Sequence, residues 1–249
     1  AVMPELRRRL PDAEMVGFGG ENPYRFLHEI TGMLEAGAGE YFDSISIHPY
    51  RQPFPPEIAH TAGAGPVDET VKKIIALSKA HGGPAKIQIT EMGYPVFMLN
   101  WGVSEKEHAR YLVRTLAMLH SVPEVETVYW YTTRDENEIP LRGGAQLSIN
   151  FSQHSFGLFR AKSFNYAPKP AAVALAEYIR QTAGATFGPV QRLENDVYCV
   201  DVFEPDGTLR CKIIWTLETP AELNIAGDDV YVIEITGRRR TAGGGVLTV

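Results

Sequence analysis

Four times along the chain a short apolar run gives way to a longer segment of helical periodicity. "AEMVGFGG" (13–20) precedes a helical stretch from about Tyr24 to Ala36. "FDSISIHPY" (42–50) leads, through a Pro-rich loop, to "DETVKKIIALSKAH" (68–81). There Val71, Ile74, Ile75 and Leu77 recur at helical spacing, and Gly82-Gly83-Pro84 stops the helix. "AKIQIT" (85–90) is the third run, and its helix opens on the capping-box pair Ser104 and Glu107 before "HARYLVRTLAMLH". "VETVYWYTT" (125–133) is the fourth, and "KPAAVALAEYIRQTAG" (169–184) supplies the last helix. Strands that alternate with helices and read as continuous apolar runs imply an α/β fold, a parallel sheet covered by helices.

After Gly188 the texture changes. "DVYCVDVFEPDGTLRCKIIWTL" reads as a hairpin and "DVYVIEITGRRRTAGGGVLTV" as further β-structure, so 188–249 is expected to be a small accessory β-sandwich that stops in mid-strand at Val249. The two cysteines, Cys199 and Cys211, flank the turn "EPDGT". A two-residue loop at Asp206-Gly207 sets residue 211 opposite 202 and turns Cys199 to the other face; a three-residue loop puts both on one face, diagonally. Free thiols are the favoured reading.

Charge excludes one class of partner. The formal net charge is −6 and the longest basic run is Arg238-Arg239-Arg240, whereas nucleic acid requires clustered Lys and Arg. No apolar stretch approaches the ~20 residues of a membrane-spanning helix. Metal and nucleotide signatures are absent: no Cys-x-x-Cys, no His-Glu-x-x-His, no P-loop and no Gly-x-Gly-x-x-Gly after a strand. The seven histidines show no metal-ligand spacing. No metal and no cofactor is implied.

The chemistry concentrates in "KIQITEMGYP" (86–95), where a buried strand delivers Glu91 and the chain turns away through Gly93 and Pro95. Around it, "YFDSISIHPY", "KIQITEMGYP", "SEKEHARYLVRTLAM", "VYWYTTRDE" and "HSFGLFRAKSFNYAPKPAAVAL" follow one another in an order that resembles the later half of clan A glycoside hydrolases, nearest to families 39 and 5. The resemblance covers roughly residues 1 to 185. It implies a (β/α)8 TIM barrel with its site at the C-terminal strand ends. The four units here would be strands five to eight, with 1–187 as the C-terminal half of the barrel domain. It also places the nucleophile of a retaining glycosidase on Glu91. The acid/base in that family lies in an Asn-Glu-Pro triplet after strand four, and no such triplet occurs in these 249 residues. Ala1 therefore reads as the interior of the helix after strand four, and the N-terminal half of the barrel as a partner, in the same polypeptide or another chain. An open four-stranded sheet would otherwise leave an edge and much apolar surface exposed.

The remaining candidates are weighed the same way. A His or Tyr at a strand end is more often a core residue, but the resemblance makes Tyr50 the donor that orients Glu91 and His48 a ligand for a sugar hydroxyl. Trp130 is either core packing or a flat platform for a sugar face, and the resemblance favours the platform. Asp135 and Glu136, in "TTRDE", lie in the loop expected to reach substrate hydroxyls. Glu21, in "GGENPY", comes one unit too late for the acid/base; it is a loop charge at a helix start or a substrate contact. Trp101 and Phe97 are an outer cleft wall or a buried loop anchor.

The expected activity is thus a retaining hydrolase of a β-xyloside- or β-glucoside-like bond, with carbohydrate as ligand and no nucleic acid or membrane partner. The alternative is a non-catalytic carbohydrate-binding or structural remnant of such an enzyme.

Overall fold

The computed structural model describes residues 2–20, 23–58, 65–97, 102–136, 154–217, 220–225, 230–242 and 245–249. The chain divides into two compact units: Ala1–Gly93 with Val122–Tyr131, and Tyr94–Ser121 with Thr132–Val249.

The first unit holds α1 (Val2–Arg9), β1 (Val16–Gly20), α2 (Pro23–Glu35), β2 (Ser44–Ile47), α3 (Val67–Ala80), β3 (Ile87–Met92) and β4 (Val125–Trp130). Its strands form one parallel sheet in the order β1-β2-β3-β4, as the alternation of strand and helix predicts. The helices fall within a residue or two of their expected bounds. β2 is much shorter than its apolar run, because Pro49 has no N–H to give a ladder. Arg7 fastens α1 to the sheet by donating to Ala13 O, Tyr41 O and Asp43 Oδ2. Met15 N–H, and then Arg7, hold the Asp43 carboxyl below its ordinary range.

In one respect the sheet departs from expectation. β2 and β3 are not continuous apolar runs but strict alternations, Ser44-Ile45-Ser46-Ile47 and Ile87-Gln88-Ile89-Thr90. The register sets Ser46 against Gln88 and Ile47 against Ile89, so one face is isoleucine and the other polar. All four isoleucines are fully buried, as are Ile30 and Leu34 on α2 and Val71 and Ile74 on α3; each such side chain is worth about 1.5–3 kcal/mol. The polar face satisfies itself. Gln88 Nε2 donates to Ser44 Oγ at 3.0 Å and to Glu14 Oε1 at 3.3 Å, and Ser46 Oγ meets Thr90 Oγ1 at 2.5 Å. On these two strands the apolar surface expected of an open sheet is replaced by hydrogen-bonding groups.

The second unit contains α4 (Glu105–His120), α5 (Pro170–Thr182) and all the remaining strands. α4 packs on α5, burying Leu112, Leu116, Ala171 and Ala174, and His120 Nδ1 meets the Tyr178 hydroxyl at 2.8 Å. The capping box forms as read: Glu107 N–H donates to Ser104 Oγ at 3.2 Å and Ser104 N–H to Glu107 Oε2 at 2.7 Å. Ser104→Ala removes one of these bonds at an exposed helix start. It is expected to cost about 1 kcal/mol, seen as a Tm lower by roughly 2–4 °C in thermal unfolding followed by circular dichroism.

β5 (Thr186–Phe187), β6 (Gln191–Arg192) and β8 (Leu209–Thr216) all pair antiparallel with β7 (Val197–Phe203). β9 (Glu222–Ile225) pairs with β12 (Gly245–Thr248), and β10 (Val230–Ile233) with β11 (Arg239–Ala242). In the β7–β8 hairpin the loop is the longer of the two expected forms. Glu204 N–H bonds Thr208 O, with Gly207 at φ 85°. A register shift between Val202 and Phe203 then restores the pairing of Val202 with Cys211. Both cysteines are free, Cys199 buried opposite Ile214. Among the described residues no helix is long and apolar enough to cross a membrane.

Candidate active site

Glu91 stands near the end of β3, where the ladder slips. Ile89 pairs with Val128 and Met92 with Trp130, so β3 takes three steps while β4 takes two. Strict alternation would send Thr90 and Glu91 to opposite faces. The extra residue lets both reach one imidazole, as bulges beside functional groups commonly do. His48 Nε2 lies 2.8 Å from Thr90 Oγ1, and its Nδ1 lies 3.7 Å from Glu91 Oε2.

The same carboxylate oxygen accepts a hydrogen bond from the Tyr50 hydroxyl at 2.9 Å. Tyr50 N–H closes a tight turn onto His48 O at 2.8 Å, which presents both rings just beyond β2, edge to face with centroids 6.4 Å apart. Behind this turn Arg51 is fully buried, donating to Ile58 O, Gly65 O and Thr70 Oγ1 and so tying the loop after Tyr50 to the start of α3. The Glu91 side chain keeps 39% exposure. A carboxylate with one oxygen fixed by a neutral donor and a face open to solvent is equipped to act as a nucleophile or a base.

Of the residues expected at the site, the structure brings Glu91, Tyr50 and His48 together as neighbours. Trp130 pairs with Met92 and is half-buried; Tyr129, on the sheet face of Gln88 and Thr90, is 56% exposed. Asp135 and Glu136 belong to the second unit. There Asp135 Oδ1 accepts from Lys169 Nζ and from Gly157 N–H, each at 2.8 Å, and Glu136 pairs with His154 Nδ1 at 2.6 Å. Phe97 is described next to the Val96–Val103 bridge, with its carbonyl oxygen only 2.1 Å from where a Gly102 side chain would begin. Glu21 and Trp101 lie outside the described residues. Sequence reasoning does not single out Ser46, Thr90 or Arg51. The signal for the first two is the polar alternation "SISIH" beside "IQIT". Among the described residues no cluster of His, Cys, Asp and Glu could hold a metal ion.

These features define an α/β protein with a carboxylate, a phenol and an imidazole gathered at the ends of adjacent parallel strands. Its fold is similar to that of a family 39 glycoside hydrolase from the gut symbiont Bacteroides cellulosilyticus WH2, with TM-score 0.77 and 22% identity. That match covers 100% of this chain and 51% of the other, so this chain spans about half the length of that protein; at this identity the likeness is one of fold. Looser matches include Bacteroides uniformis β-glucuronidase 2, with TM-score 0.47 and 12% identity over 100% of this chain and 29% of that one. A family GH2 β-galacturonidase from Eisenbergiella tayi matches with TM-score 0.41 and 18% identity over 56% and 24%. No family model matches the sequence, and no curated protein matches it.

Proposed function

We propose that this chain is the nucleophile-bearing part of a retaining glycoside hydrolase. The observation that carries the reading is the Tyr50–Glu91 hydrogen bond of 2.9 Å, with His48 Nδ1 3.7 Å from the same oxygen, at the ends of neighbouring parallel strands. The similarity in fold to a family 39 glycoside hydrolase supports it. In this reading β1 to β4 take the places of strands five to eight of a (β/α)8 barrel, and residues 188–249 form an accessory β-sandwich. The acid/base comes from the N-terminal half, outside these residues, since the chain has no Asn-Glu-Pro triplet.

Glu91 attacks the anomeric carbon as the bond to the leaving oxygen breaks, giving a glycosyl ester on the carboxylate. The acid/base protonates that oxygen, then takes a proton from the water that attacks the anomeric carbon and frees Glu91. Trp130 shapes the sugar site. A β-xyloside or β-glucoside is the expected substrate class.

The test uses activated 2-deoxy-2-fluoro glycosides of both sugars with a dinitrophenolate leaving group. Such a group departs without protonation, so labelling depends on the nucleophile and not on the source of the acid. Intact mass followed by peptide mapping is expected to place one sugar on Glu91. Binding of these sugars without any label, or a label on another residue, overturns the proposal and leaves a carbohydrate-binding scaffold.

A further inference from the structure

Three groups beneath Glu91 form a line of hydrogen bonds that the bond-breaking chemistry does not itself require. Ser46 Oγ is 2.5 Å from Thr90 Oγ1, and Thr90 Oγ1 is 2.8 Å from His48 Nε2. On the other side of the ring His48 Nδ1 is buried, makes no hydrogen bond among the described residues, and faces Glu91 Oε2 at 3.7 Å. A neutral imidazole carries one N–H, and which nitrogen holds it is decided by the partners of both. With the proton on Nε2, the Nδ1 lone pair would point at a carboxylate oxygen. With the proton on Nδ1, an N–H points there instead. Nε2 then accepts from the Thr90 hydroxyl, whose oxygen accepts from the Ser46 hydroxyl. The two hydroxyls can run in either direction, since each donates or accepts; only the second arrangement keeps a lone pair from facing the Glu91 carboxylate.

We infer that the Glu91 carboxylate selects the neutral Nδ1–H tautomer of His48, the minor form of free histidine, and that Thr90, backed by Ser46, is the positioning residue that supplies the matching donor to Nε2. His48 and Tyr50 then both direct donors at Oε2 of Glu91. That leaves Oε1 as the oxygen free to react, and the 3.7 Å approach closes when a sugar excludes water from the site. The role given to Oε1 rests on the glycosidase reading; the tautomer does not.

The experiment is long-range proton–nitrogen NMR of the whole chain at neutral pH, with the His48 signals assigned by their loss in His48→Gln. Wild type is expected to show a protonated-type shift at Nδ1 and an unprotonated-type shift at Nε2. Thr90→Val, which keeps the shape but removes the hydroxyl, is expected to leave the proton on Nδ1, move the Nε2 signal toward that of a nitrogen without a donor, and slow 2-fluoro glycoside labelling about tenfold, the value of one lost hydrogen bond. Thr90→Ser is expected to restore both. Should Thr90→Val not fold, Ser46→Ala tests the outer link and is expected to move the Nε2 signal in the same direction by a smaller amount. An Nε2–H or imidazolium form in wild type, or an Nε2 signal unmoved by both variants, overturns the relay. The two proposals fail separately. Labelling of Glu91 with the wrong tautomer sinks only the relay, and the right tautomer in a chain that no sugar labels sinks only the glycosidase.

Discussion

Glu91→Gln is expected to abolish labelling by activated 2-fluoro glycosides, with a rate at least about 10⁴-fold below wild type, because an amide oxygen cannot form the glycosyl ester. Tyr50→Phe should be much milder. It removes one hydrogen bond to a charged acceptor, a net ~1.5–3 kcal/mol, which corresponds to roughly 10- to 150-fold in rate. The ordering follows from the geometry, since the Tyr50 hydroxyl donates to Oε2 and does not itself form the new bond. Labelling rates followed by mass spectrometry at fixed inhibitor concentration give both numbers. A Glu91→Gln variant that still labels at a rate close to that of wild type would move the nucleophile elsewhere. Equal losses in the two variants would mean that Tyr50 takes part in the bond-forming step itself.

Much of the fold is readable from the sequence. The order of four strands and their parallel pairing follow from apolar runs alternating with helical periodicity, and the Ser104–Glu107 box from a local pattern that needs no tertiary context. Glu91, Tyr50 and His48 are legible because strand ends bring sequence-distant residues to one place in a parallel sheet. The bulge at Thr90–Glu91 is not. It depends on β3 and β4 slipping by one residue, a property of the pair and not of either strand. The polar sheet face is visible as alternation, but the isoleucines of "SISI" and "IQIT" dominate the reading of those runs. The hairpin shows how two loop lengths can give one register, since a bulge beside Phe203 undoes the longer loop. Asp135 is the hardest to read. Its neighbours in sequence point to an exposed loop, whereas its partner Lys169 lies 34 residues away.

That pairing sets the second large effect, Asp135→Asn, expected to destabilise the protein by about 3–5 kcal/mol, a fall in Tm of roughly 10 °C. The Lys169 side chain is only 3% exposed and that of Asp135 18%, with Nζ also bonded to Ser155 O at 3.2 Å. Gly157 donates its N–H to the same carboxylate, and a side chain there would start 2.1 Å from Asp135 N, so only glycine fits at that position. Removing the carboxylate strands an ammonium in the interior. Lys169→Met strands a less buried carboxylate that keeps its N–H donor, so it should cost less. Nearby, burial and then the Lys169 charge push His108 down to about 3 from an ordinary 6.5. The folded state therefore resists protonating His108 while the unfolded chain does not. Its contribution is fully present above pH 6.5 and is lost as pH falls from there toward 3, at up to ~1.4 kcal/mol per pH unit. Lys169→Met removes the second cause, so its acid limb should level off at a higher pH than that of wild type. Tm against pH for the three proteins measures all of this. If Asp135→Asn leaves Tm unchanged but slows labelling, the carboxylate serves the sugar, as its place in "TTRDE" suggests, and Lys169 does not depend on it.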